Sequence, residues 1–136
     1  MDKKLDDEKI KRVVDDGAKD INEEKVGETV AREAELNAKI ALVPGWFDKQ
    51  VKKFKLLFEL LKDWWDGKYT EIPWASIALI TFAIIYFLNP ADLIPDVIPV
   101  IGYIDDATVL ALVWQAIEHD LKKYAEKTGK DMTVFS

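Results

Sequence analysis

Between Ile72 and Leu88 the chain runs for seventeen residues without a charge: Ile-Pro-Trp-Ala-Ser-Ile-Ala-Leu-Ile-Thr-Phe-Ala-Ile-Ile-Tyr-Phe-Leu. Pro73 suits the first turn of a helix, where its missing N–H costs nothing. A helix that is apolar on every side has to be enclosed, either by protein or by lipid. Seventeen residues rise roughly 26 Å, a little short of the about 30 Å of a bilayer's hydrocarbon. Trp64, Trp65, Tyr69 and Trp74 crowd the entry to this run, as an interfacial aromatic belt would. The run is compatible with both enclosures, and everything else in the chain has to fit one of them.

Two further helices are legible beside it. From Trp46 to Asp66, the residues Phe47, Val51, Phe54, Phe58, Leu61 and Trp65 recur at alternating spacings of four and three, and Trp46, Leu57, Leu60 and Trp64 widen that face. Lys52, Lys55, Glu59, Lys62 and Asp63 fill the other side, and Gly67 supplies a left-handed stop. This pattern suits core packing in a bundle, or a membrane-surface helix whose Lys49, Lys52, Lys53 and Lys55 face headgroups. From Ala107 to about Lys127, Val109, Leu110, Val113, Trp114, Ile117, Leu121 and Tyr124 form one face, and Gly129 ends the helix. No alternating strand pattern appears, so the expected fold is all-α. We expect a small helical bundle with a central apolar helix and a proline-rich acidic reversal between the last two helices.

Residues 1–43 are of different composition, with nine Lys/Arg, twelve Asp/Glu and no aromatic residue. Ile10, Val13, Val14, Ile21, Val26 and Val30 make only a thin stripe, interrupted by Gly17 and Gly27. So little apolar area offsets little chain entropy, and a charged, partly mobile helical arm, dispensable for folding, is expected up to Pro44-Gly45. The expected division is this arm, a helical domain over 44–128, and a C-terminal tail over 129–136.

The chain has no cysteine, so disulfides, thiolate chemistry and cysteine zinc sites are excluded. A net charge of −6 argues against nucleic acid as a partner, since binding it needs a basic footprint. Met1-Asp2-Lys3-Lys4-Leu5 has no apolar stretch behind it of the kind a secretory signal carries, so a cytoplasmic setting is expected. His119, the one histidine, sits on the polar side of the last helix and is expected to be exposed and inert.

Residues 86–106 hold most of the chain's punctuation. Asn89, Pro90, Pro95, Pro99 and Gly102 impose bends, while Asp92, Asp96, Asp105 and Asp106 sit among apolar residues. No Lys or Arg lies between Lys68 and Lys122. Buried carboxylates need caps, water, a distant cation or a metal. Asn89 with Pro90 reads as a helix start, Asp92 can receive N–H groups in its first turn, and Asp105 or Asp106 can cap the last helix. Structural capping is the preferred reading. The alternative is a hard divalent cation, Mg²⁺, Ca²⁺ or Mn²⁺, held by Asp92, Asp96, Asp105 and Asp106.

The same run resembles the signature of the YkvA-like bacterial family of unknown function. The similarity rests on Asn89-Pro90, Asp92-Leu93-Ile94-Pro95-Asp96, Ile98-Pro99, Gly102-Tyr103 and Asp105-Asp106, and extends from roughly Leu56 to Lys123. The resemblance implies a small helical domain, often membrane-associated, with no established biochemical activity. The expected function is a non-enzymatic module that binds a protein partner or itself. One alternative is a membrane-associated protein with a shallow or integral helical hairpin; a second is a metal-dependent activity at the aspartates. Against two clean spans, the return leg Ala107–Ile117 offers only eleven uncharged residues before Glu118.

Overall fold

The computed structural model describes residues 3–45, 48–88 and 106–135. In these it has six α-helices: α1 (Lys3–Lys19), α2 (Glu23–Val30), α3 (Glu33–Ala41), α4 (Asp48–Trp65), α5 (Trp74–Leu88) and α6 (Asp106–Thr128). A short 3-10 turn follows at Met132–Phe135, and no strand occurs among the described residues. The all-α bundle expected from periodicity is what the chain forms.

The apolar run becomes α5, and protein encloses it. From Ser76 to Phe87 every residue is buried except Leu79, which is half-buried. Helices α1, α4 and α6 pack along α5, with α2 and α3 adding smaller contacts. Leu57, Leu60 and Leu61 of α4 and Val113, Ile117 and Leu121 of α6 meet it with almost no exposed surface. Fully burying one such side chain contributes about 1.5–3 kcal/mol. Its buried Ser76 and Thr81 are satisfied: Thr81 Oγ1 donates to the Ile77 carbonyl at 2.8 Å, and Ser76 Oγ to Asp120 at 2.6 Å.

Helix ends follow the sequence closely. At Gly67, φ is +78°. The Lys68 N–H bonds back to the Asp63 carbonyl at 2.8 Å and the Gly67 N–H to Trp64 at 3.1 Å, a Schellman closure of α4. Gly129, with φ +69°, closes α6 in the same way, through Lys130 N–H to the Ala125 carbonyl at 2.9 Å. Pro73 stands one place earlier than expected. Its carbonyl accepts the first helical bond from the Ile77 N–H, so it caps α5 rather than opening it.

The first 43 residues depart from expectation. Val14, Ala18, Ile21, Val26 and Leu36 are buried, and α1 lies against α5 and α6 while α2 lies against α4 and α5. The two glycines read as interruptions are points of close approach. A Cβ on Gly17 would stand 2.1 Å from Cε2 of the wholly buried Phe82, and one on Gly27 would stand 2.7 Å from the ring of Trp65. The stripe looked thin because contact there is made by helix backbone against an aromatic face, which periodicity does not register. Trp65 departs likewise: placed on the core face by its spacing, it is 46% exposed and covers Gly27.

These contacts set the response to substitution. Gly17→Ala is expected to destabilise by about 1–3 kcal/mol through overpacking on Phe82, more than the about 1 kcal/mol that alanine adds to helix propensity. Gly27→Ala is expected to be neutral or stabilising, because the half-exposed Trp65 ring can move into solvent. Urea unfolding of both variants checks the contrast, and equal effects would refute it. A chain beginning at Val43 leaves the α1 side of α5 in water and is expected to lose cooperative melting. An unchanged midpoint would show that α4 to α6 suffice.

Candidate functional site

The sequence-derived site falls largely where no structural statement is made. Asn89, Pro90, Asp92, Pro95, Asp96, Pro99, Gly102 and Asp105 lie outside the described residues. Asp106 is the first residue of α6, at the start of the helix whose cap it was expected to supply. Among the described residues no group of three or more His, Cys, Asp or Glu is arranged to hold a metal ion.

The approach to the acidic segment is described, and it holds a residue that sequence reading missed. Lys39 of α3 donates from Nζ to the Phe87 carbonyl and lies 4.8 Å over the Phe87 ring. Phe54 stacks on the Phe87 ring as well, with centroids 4.4 Å apart. A cation at the last carbonyls of a helix meets the negative end of its dipole. Lys39 is 48 positions from Phe87, so no local spacing announces the pairing.

A second set of polar side chains joins α4, the segment leading into α5, and α6. Tyr124 donates its hydroxyl to Asp63 Oδ2 at 2.6 Å. Burial, then that hydrogen bond, hold the Tyr124 phenol far above its ordinary range. Tyr69 meets Tyr124 edge to face at 5.0 Å, and its buried hydroxyl has no partner among the described residues. Burial and the nearby Glu71 raise its pKa, against the pull of Lys127. Glu71 takes the Lys127 ammonium, which keeps its carboxyl below the ordinary range. These groups lock elements together, and each acid is engaged by a specific donor.

The third polar feature is basic. A groove of about 200 Å³ runs between α4 and the C-terminal turn, lined by Lys52, Lys55, Leu56, Glu59, Lys130, Asp131 and Val134. Lys53 lies 4.8 Å over the Trp114 ring and Lys122 5.8 Å over Phe135, beside the same turn. The sequence had indicated these α4 lysines as a headgroup-facing set, without the tail that completes the groove. His119 is exposed, as its place on the helix wheel implied.

Comparison with known proteins gives two findings. Residues 76–112 match a family model described as a protein of unknown function (DUF1232). The matched span begins in α5 and ends in α6, so it contains the acidic segment and leaves out the first three helices and the lysine groove. The chain is also 41% identical over 76 residues to a protein of Bacillus subtilis (strain 168) named "Uncharacterized membrane protein YkvA". That alignment covers 56% of this chain and 72% of the relative. No solved structure matches. Among the described residues no helix is long and apolar enough to cross a membrane.

The Tyr124–Asp63 contact makes a checkable claim about alkaline stability. A phenol whose pKa is raised on folding contributes stability that is complete below its unfolded value, 10.0, and is lost as pH rises beyond it. Tyr124→Phe is expected to cost about 1.5–3 kcal/mol at neutral pH, since it strips a donor from a charged acceptor. Above pH 10 the variant is expected to lose stability less steeply than the wild type, with Tyr69 supplying part of the remaining slope. Urea unfolding across that range reads both effects, and parallel pH curves would refute the assignment.

Proposed function

The chain belongs to the YkvA-like family of proteins of unknown function, and from that premise we propose that it is a non-enzymatic interaction module that works as a folded bundle at a membrane surface, on the cytoplasmic side. One observation carries this reading: α5, the most apolar of the described helices, is already enclosed by α1, α4 and α6. Lipid offers such a helix nothing that protein does not, because acyl chains are about as apolar as the side chains that now cover it. The name of the Bacillus relative supports a membrane setting. The enclosure of α5 supports a peripheral mode within it. Self-association is a second reading. It is favoured by Trp65 and Trp74, 46% and 41% exposed at the turn between α4 and α5.

Fractionation of cells expressing the full chain tests the proposal. The protein is expected in the membrane pellet at low salt and in the supernatant after a carbonate or high-salt wash. Retention through carbonate would place part of the chain in the bilayer and overturn the peripheral mode. A protein that never pellets would remove the membrane and leave the protein partner or self-association.

A further inference from the structure

The C-terminal turn Met132–Phe135 is ringed by ammonium groups. Lys52, Lys55 and Lys130 line the groove beneath Val134, while Lys53 and Lys122 lie over the aromatic rings of Trp114 and Phe135 on its other flank. Trp114 and Phe135 pack together at 5.3 Å, and Leu56 and Val134 supply the apolar lining of the groove. Met132 projects from the turn, 37% exposed.

The carboxylates of this face are already engaged. Glu59 bridges Lys130 at 3.0 Å, Asp48 bridges Lys52 at 3.2 Å, and Glu118 bridges Lys122 at 3.4 Å. Asp131 is turned into its own loop, accepting from the Thr133 N–H at 2.9 Å and the Thr133 hydroxyl at 2.7 Å. Lys55 is exposed and has no ion-pair partner among the described residues. Five lysines, Lys52, Lys53, Lys55, Lys122 and Lys130, stand against these four carboxylates, which leaves one positive charge in surplus here on an otherwise acidic protein. Burial, then the neighbouring charge of Lys49, lowers the Lys53 pKa against the pull of Glu118. Screening confines the effect of distant acids to about 8–10 Å, so a ligand at this face meets these local charges and not the net charge of the chain.

A basic rim around an apolar projection is complementary to a bilayer surface, where phosphates lie outermost and acyl chains beneath. We infer that the lysine-ringed C-terminal turn is the face on which the bundle sits, with Lys52, Lys55 and Lys130 meeting the phosphates of anionic phospholipids and Met132 entering below them. The inference rests on the peripheral reading above and adds the face and the lipid class to it.

Co-sedimentation of the full chain with vesicles tests it. One set contains equal parts phosphatidylglycerol and phosphatidylcholine, the other phosphatidylcholine alone. The wild type is expected to pellet with the anionic set, and less so as salt rises. Lys52→Gln with Lys55→Gln is expected to lower the partition coefficient about thirtyfold, at the strength usual for two lysines near an anionic surface. Both side chains are exposed, so an unchanged melting temperature is expected to show that the fold is intact. Trp65→Ser with Trp74→Ser is expected to retain binding. Equal binding to the two vesicle sets, or wild-type binding by the lysine variant, would overturn the face while leaving the peripheral reading intact. No binding to any vesicle would overturn the lipid as partner, and cell fractionation then separately decides whether a membrane protein takes its place.

Discussion

The close approach of α1 to α5 at Gly17 is the contact on which the bundle depends. An apolar helix has no side to give to water, so each neighbour must offer it an apolar surface at packing distance. Helices α4 and α6 do so with conventional side-chain faces. The remaining side is closed by a helix whose apolar residues are few, and that is feasible only because Gly17 lets its backbone lie on the Phe82 ring. Phe82 in turn stacks near Tyr86, at 6.3 Å between centroids, so the contact propagates along α5. Ser76 and Thr81 can be buried in this setting because each spends its hydroxyl on a partner within reach.

Much of this was legible in the residues themselves. The three strongest helices, the glycine stops at Gly67 and Gly129, and the core face of α6 all follow from local spacing and backbone freedom. The packing of the first 43 residues was not legible. Their buried residues Val14, Ile21, Val26 and Leu36 are divided among three short helices and the turns between them. A periodicity measured over one helix cannot register a surface assembled from several. Lys39 and the Tyr124–Asp63 pair were hidden for a related reason: they join residues far apart in sequence, and only the folded topology brings them together. The aspartate segment stands in the reverse position. Its composition announced it at once, while the residues read as its caps, Asn89, Asp92 and Asp105, lie outside the described residues.

The distribution of charge carries a different kind of information from the core. Exposed ion pairs such as Lys52–Asp48 and Lys122–Glu118 contribute roughly 0–1 kcal/mol each. The lysines around the C-terminal turn therefore cannot be accounted for by what they add to stability. Two of them, Lys53 and Lys122, lie over aromatic rings, and Lys122 also bridges Glu118. Fold stability and surface chemistry are thus assigned to different residues of the same helix: α4 gives Leu57, Leu60 and Leu61 to the core and its lysines to the surface.

That separation weighs the two ways such a chain can meet a membrane. Insertion of α5 would exchange one apolar surround for another and gain little, while the faces of α1, α4 and α6 that now cover it would be left without a partner. It would also carry Ser76 away from Asp120, a carboxylate 2.6 Å from that hydroxyl. Docking through the exterior of α4 and the C-terminal turn disturbs none of these contacts. It draws on lysines whose interactions within the bundle are weak and therefore inexpensive to exchange for phosphate. On the proposed peripheral mode, the apolar helix and the lipid-meeting lysines are different parts of the molecule, and the apolar run is not the place where lipid is met.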